Sequence, residues 1–390
     1  MATRVALFTS TIIALPLLVL ISGCGGGQNP FGVKSELVTK ADHAAAMTFA
    51  PDGRLFYAEQ LTGNIRVVTA DGKLLEEPFA RVEVAVYLEW GLTGLAVDPD
   101  FEKNHYVYAF LTKPVEPDPP IGRPVLVRFT ARDNKGVDPK VILDDIPETL
   151  PAAPGFNANG RIHFGPDGFL YVSLGDYDTP PLVQDLSTPE GKILRVSKED
   201  GTAPNDNPLA GDPKADPRIF AYGFREPFDF AFRPETGQLY GSDNTPVTCE
   251  ELNLIEAGGN YGWPDVGEFP FADCLAGDQI PAIHFFAHKG KKPGDFLSFV
   301  EIAGLEFVSA SVYPRLGDAL LACESQTQLM RRLVLTGSNF DQVTADDTAG
   351  TDADVVVKDC QMDIATGPDG TVYYSNEREI RRLVPEGAGE

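Results

Sequence analysis

Basic residues are scarce in this chain: 32 Lys and Arg stand against 57 Asp and Glu among 390 residues, a formal net charge of −25. With no extended Lys/Arg run, a phosphate backbone or an anionic lipid surface would repel it, which argues against nucleic acid as a partner. Histidine is scarcer still, at 5. No CxxC and no nearby histidine supplies zinc spacing. Helix-length amphipathic patterning is absent after the N-terminal segment, so loops between other elements are expected to carry the function. The surplus carboxylates predict a soluble surface and, in part, oxygen ligands for a divalent cation such as calcium.

One long apolar run is present, in "MATRVALFTSTIIALPLLVLISGCGGGQNP". Arg4 precedes it and small residues close it at a cysteine, the pattern of an export signal over residues 1–23. "LISGC" resembles the bacterial lipobox, which implies lipidation of Cys24 and a membrane link through that lipid. Residues 24–36, including Gly25 to Pro30, read as a flexible tether. The expected location is the cell envelope, on the outer-membrane or periplasmic side or the cell surface. An ordinary secreted signal peptide is the alternative. Four further cysteines, Cys249, Cys274, Cys323 and Cys360, are an even number in an exported chain and predict disulfides. Sequence proximity favours Cys249–Cys274 and Cys323–Cys360 among three connectivities.

Six segments repeat one grammar of apolar strand, Pro-Asp-Gly-like turn, aromatic-rich strand and a third strand. They begin at Met47, Leu92, Arg161, Phe228, Leu305 and Met362. Proline presets the turn, Asp and Gly supply capping and positive φ, and flanking Phe, Tyr, Val and Leu suit strands. A single meander cannot bury both faces, whereas six stacked radially can. The predicted fold is all-β: one six-bladed β-propeller over 37–386, each blade a three- to four-stranded antiparallel meander. "SELVTKA" is expected to add a strand to the last blade. A β-sandwich is the alternative.

"EWGLTGLAVDPDFEKNHYVYAFLT", "RIHFGPDGFLYVSLGD", "QDLSTPEGKILRV", "YGFREP" and "EELNLIEAGGNYGWP" together resemble the glucose/sorbosone dehydrogenases, the soluble PQQ-dependent aldose sugar dehydrogenases. The resemblance implies PQQ in the central cavity, a calcium ion polarising its quinone, and a histidine base that takes the sugar C1 hydroxyl proton. It places Asn157 at the position of that base. An amide has no useful basicity near neutral pH, so Asn157 cannot act as general base. Arg225 matches the arginine of the family's "YGLRNP", and Glu226 replaces the following Asn. Cys360 and Met362 fall where cationic contacts to the PQQ carboxylates are expected, and Gln326 falls near a family lysine. The resemblance assigns cofactor calcium to carbonyls of Thr245 and Pro246, and a structural calcium to Glu250, Glu251 and Tyr261. Glu89, Asp176 and Gln184 are further candidates for the channel mouth, with Asp176 in the catalytic corner and Gln184 toward the cofactor. His163, inside a strand, reads as a residue on a sheet face, and Trp263 as a packing aromatic.

The resemblance implies a PQQ-dependent aldose dehydrogenase that oxidises a C1 hydroxyl to a lactone and passes electrons to a redox acceptor. Two alternatives use the same fold: a propeller without redox chemistry that binds a glycan or a protein, and a calcium-dependent lactonase built on Glu59, Asn157 and Asp176.

Overall fold

Three Pro-Asp-Gly turns are held by the same two devices. Asp52, Asp167 and Asp369 each accept the backbone N–H two residues on, at 3.2, 3.2 and 3.0 Å, and Gly53, Gly168 and Gly370 take φ of +86°, +81° and +80°. Side-chain capping and a glycine in the left-handed region are what a tight strand reversal requires. The computed structural model describes residues 29–117, 120–148, 157–158, 160–245, 249–264, 279–287, 300–344 and 353–386. The leader, Cys24, Pro246 and Cys274 lie outside the described residues.

Around these turns the chain forms six antiparallel sheets, five of four strands and one of five. This is the six-bladed propeller expected from the repeats. The first strands of blades 1 to 6 are Ala44–Phe49, Leu92–Val97, Ile162–Phe164, Phe230–Phe232, Ile302–Val308 and Asp363–Thr366. Neighbouring first strands pack on one another around the channel. The fifth blade gains its extra strand because Val355–Val357 also pairs with Leu329–Thr336. Among the described residues the only helical pieces are Phe101–Asn104 and the 3-10 turn Pro180–Leu182. No helix among them is long and apolar enough to cross a membrane.

The ring closes in blade 6, where Val33–Lys40 runs antiparallel to Glu379–Pro385 with Val33 opposite Pro385. Residues 33–36, expected in the tether, are part of this strand, and Phe31 is buried beside Tyr313 and Leu383. Apolar contacts join successive blades: Tyr108 and Phe110 of blade 2 pack with Ile162 and Leu174 of blade 3. At the seam, Ala44 and Tyr57 pack with Ala365 and Ile380. Each such burial is worth about 1.5–3 kcal/mol. The expected Cys323–Cys360 disulfide is present, with Cα atoms 5.5 Å apart, and Cys249 is also disulfide-bonded.

The side chain of Arg161 crosses the channel. Its guanidinium, from blade 3, donates to the carbonyls of Ala45 in blade 1, Thr93 in blade 2, Ala303 in blade 5 and Met362 before blade 6. Asp363 lies 3.6 Å from it. Five donors in a planar fork suit arginine to this task.

Candidate functional site

The first strands all start at the same end of the channel, so the loops that precede them meet there. Ala45, Thr93, Arg161, Phe228, Ala303 and Met362, one from each blade, line a cavity of about 240 Å³ at this mouth.

Asn157, buried and in the left-handed region at φ +49°, immediately precedes Ala158, whose N–H donates to Glu89 of that cavity. Its Nδ2 donates to Asp176 Oδ1 at 2.7 Å. The same oxygen accepts the Asp178 N–H at 2.8 Å, and Trp263 Nε1 donates to Oδ2 at 2.9 Å. Gly175 permits this approach, because a Cβ there would lie 2.0 Å from the Asn157 carbonyl oxygen. Burial pushes the Asp176 carboxyl above the usual range, opposed by the bonds from Asn157 and Trp263 and by the charge of Arg225. Asp176 therefore caps its own turn and also joins Asn157 to Trp263. Trp263 is more than packing: it orients that carboxylate.

Arg225 enters from the next blade. Its backbone N–H donates to Asp243, its carbonyl accepts the Asp176 N–H at 2.7 Å, and its Nη1 donates to the Asn244 carbonyl at 2.8 Å. Asn157, Asp176 and Arg225, dispersed in sequence, thus form one corner. Gln184 supports it from outside, donating to the Trp263 carbonyl at 2.6 Å and pairing with Asn260. The Tyr261 hydroxyl is engaged within its own loop, donating to the Leu254 carbonyl and accepting the Glu256 N–H, and its ring stacks on Phe224 at 4.6 Å.

Four carboxylates, Glu89, Glu226, Glu301 and Glu377, line the same cavity. Glu89 accepts the Ala158 N–H at 3.1 Å. Burial raises the Glu89 carboxyl; the Ala158 N–H and the charge of Arg225 oppose this, and Glu301 adds to it. Gln326 donates to Glu301 at 2.6 Å, so it serves a carboxylate of the rim. Met362 lines the cavity and lends its carbonyl to Arg161. Cys360 is fully buried in its disulfide and offers nothing to a ligand, which corrects its assignment as a cofactor contact.

Glu250 is fully buried, and among the described residues neither of its carboxylate oxygens has a hydrogen-bond partner. Thr245 Oγ1 is likewise without one. Burial raises Glu250 well above its ordinary range, and burial together with the neighbouring Asp243 raises Glu251 to about 8. Orphaned buried oxygens of this kind suit a hard cation. Among the described residues no three His, Cys, Asp or Glu side chains converge as a metal-binding group, so a cation here would draw on backbone oxygens as well. Glu59 is engaged by Thr62 and Asn64 within its own blade, whereas Asn157 and Asp176 are bonded to each other.

His163, expected simply to cover a sheet face, faces the channel, where its Nε2 bonds Asp229 at 2.9 Å and its ring meets Phe230 edge-on. The signal in the sequence was its place two residues after Arg161, on the same side of a strand of alternating period.

The sequence model of the family described as Glucose / Sorbosone dehydrogenase matches residues 41–384. The aldose sugar dehydrogenase YliI of Escherichia coli K12 is 26% identical over 374 residues, spanning 95% of this chain and 96% of its own. A crystal structure from Thermus thermophilus, assigned as an oxidoreductase (glucose dehydrogenase), is 31% identical, with a TM-score of 0.73 over 90% of this chain and all of its own. The mouse Hedgehog-interacting protein is 28% identical over 223 residues, 51% of this chain and 31% of that protein.

Proposed function

Because the chain belongs to the glucose/sorbosone dehydrogenase family, we propose that its channel-mouth cavity binds an aldose, held at the corner formed by Asn157, Asp176 and Arg225. The family and the E. coli aldose sugar dehydrogenase support a sugar dehydrogenase-like function. The observation that carries the reading is the bond from Asn157 to Asp176. It preserves the geometry in which a carboxylate orients the neighbouring side chain, with an amide in place of a base.

Oxidation of a C1 hydroxyl to a lactone needs a base and a hydride acceptor. Asn157 supplies no base. When bound, PQQ would supply the hydride acceptor, but it carries three carboxylates. Among the described residues the cavity presents four glutamates and an Arg161 committed to four carbonyls, while Arg225, next to Glu226 in the chain, is bonded to the Asn244 carbonyl. Those residues do not fit a trianion. Calcium fits better: Glu250 and Glu251 with the Thr245 carbonyl would hold it, and its charge would relieve the crowded carboxylates beside Arg225.

The protein is read as exported and lipid-anchored at Cys24. Strand register supports an orientation. Val33 lies at the end of blade 6 remote from Met362 and the mouth, so an anchor near it would point the cavity away from the bilayer. Val86, Tyr87 and Leu88, all exposed at the rim, suit the less polar face of a sugar. They also favour a second reading, a protein partner on this rim, a role that the name of the mouse relative gives to that relative.

Calorimetric titration of the purified protein with aldoses, and separately with PQQ plus calcium, tests this. Saturable aldose binding without retained quinone absorbance is expected. Stoichiometric quinone with turnover of a dye acceptor would restore the dehydrogenase reading, and absence of any aldose binding would leave the protein-partner reading.

A further inference from the structure

We propose that a second pocket, at the seam of blades 2 and 3, binds an organic amine, an ammonium on an apolar stem, with the Glu190 carboxylate as its counter-ion. This stands whatever the channel mouth binds. A cavity of about 580 Å³ opens there between Arg123, Asp144 and Glu148 of blade 2 and Tyr177, Leu182 and Glu190 of blade 3. That is the size of a small-molecule site. Tyr177 directly follows Asp176 in the chain, so one loop serves both the candidate corner and this pocket. Two of the lining side chains have nothing to bond. Glu190 and Tyr177 are each only 5% exposed, yet among the described residues Glu190 Oε2 and the Tyr177 hydroxyl are without a hydrogen-bond partner.

Keeping a carboxylate from water without a partner is costly, and the cations around this one do not relieve it. An ammonium has three N–H donors. Those of Lys192 go to the carbonyls of Leu182, Val183 and Glu190 itself, at 3.3, 2.7 and 2.6 Å, which leaves none for the Glu190 side chain. Arg123 is paired with Glu148, and Arg218 with Asp145 at 2.7 Å. Burial and the charge of Glu190 push the Tyr177 hydroxyl up, so it stays protonated, with an oxygen that accepts as well as donates. Glu190 and Tyr177 do not bond each other. What the two lack is a cationic group that donates to both, and an ammonium has N–H groups enough to do so. Ile146, Pro147 and Leu182, with the Tyr177 ring, supply an apolar wall for its stem. A metal ion is less suited, because among the described residues no three His, Cys, Asp or Glu side chains converge. An anion would meet the carboxylates of Asp144 and Glu190.

The test is calorimetric titration of the purified full chain at neutral pH with cadaverine, and separately with pentanol, which has the same stem without the charge, and with calcium chloride. Saturable binding of cadaverine at one site per chain is expected, with none for pentanol. Affinity for cadaverine should fall at least about tenfold in Glu190→Gln, the scale of a lost hydrogen bond to a charged group. In Tyr177→Phe it should fall about fivefold, the scale of a neutral one. Neither variant removes a hydrogen bond present in the free protein, so both should melt no lower than the parent, and the two together keep the test open if one folds poorly. Absence of saturable cadaverine binding to the parent overturns the inference, as does parent-like affinity in both variants or pentanol binding as tight as that of cadaverine. Calcium binding that is lost in Glu190→Gln overturns it too, in favour of a metal site.

Discussion

Glu306 makes the stability of this propeller depend on pH. It lies on the first strand of blade 5, with Oε1 accepting the Phe307 N–H at 3.0 Å and Oε2 the Thr366 N–H at 3.2 Å. Burial pushes its carboxyl from 4.5 up to about 7; His163 and those N–H groups oppose the rise, and Asp229 adds to it. A rise of about 2.5 units corresponds to about 3 kcal/mol. The folded-state value is the higher one, so this contribution is fully present below about pH 4.5 and is lost as pH rises through about 7. Glu306→Gln resembles the protonated acid and does not titrate. The variant should be more stable than the parent by less than about 1 kcal/mol near about pH 5 and by up to about 3 kcal/mol near about pH 8.5. Urea unfolding followed by tryptophan fluorescence at the two pH values measures this. An equal gap at both, or a parent that gains stability toward alkaline pH relative to the variant, would refute the reasoning.

Arg161→Met should cost at least about 3 kcal/mol, because it leaves Asp363 buried without its cation and frees carbonyls of four blades; a loss below about 1 kcal/mol in the same unfolding assay would contradict the bridging role. Cys323→Ser should lower stability by about 2–4 kcal/mol, and reductant, which also opens the disulfide of Cys249, should lower the parent at least as far. Calcium should raise the melting temperature of the parent at neutral pH and leave that of Glu250→Gln unchanged; a variant that still responds would place the ion elsewhere.

The blade count was legible because turn chemistry is local: Pro, Asp and Gly declare each reversal within a few residues, whatever the distant chain does. Outer strands such as Ala80–Arg81 and Gln342–Thr344 were less so, since they are short and partly exposed and lack an apolar face to pattern. Asn157, Asp176 and Arg225 were found through motifs that each sit on one blade. The acidity of the cavity was not, because Glu301 and Glu377 become neighbours of Glu89 only when the ring brings the ends of several strands together. Cys360 was offered two roles, and its disulfide to Cys323 leaves only one. His163 was underestimated because a strand's alternation says which residues share a face but not that the face is a channel containing Asp229.

The seam between Val33–Lys40 and Glu379–Pro385 governs the order of events in biogenesis. The first of the described strands finds its partner only after the strands of the other five blades have been made, so the circle stays open throughout synthesis. During that interval the apolar seam faces of Tyr57 and Ile380 have no mates, and the unfinished ring is a substrate for chaperones and for pairing with another copy. Once shut, the same arrangement makes both of these strands structural: clipping either one away would strip the other of its pairing.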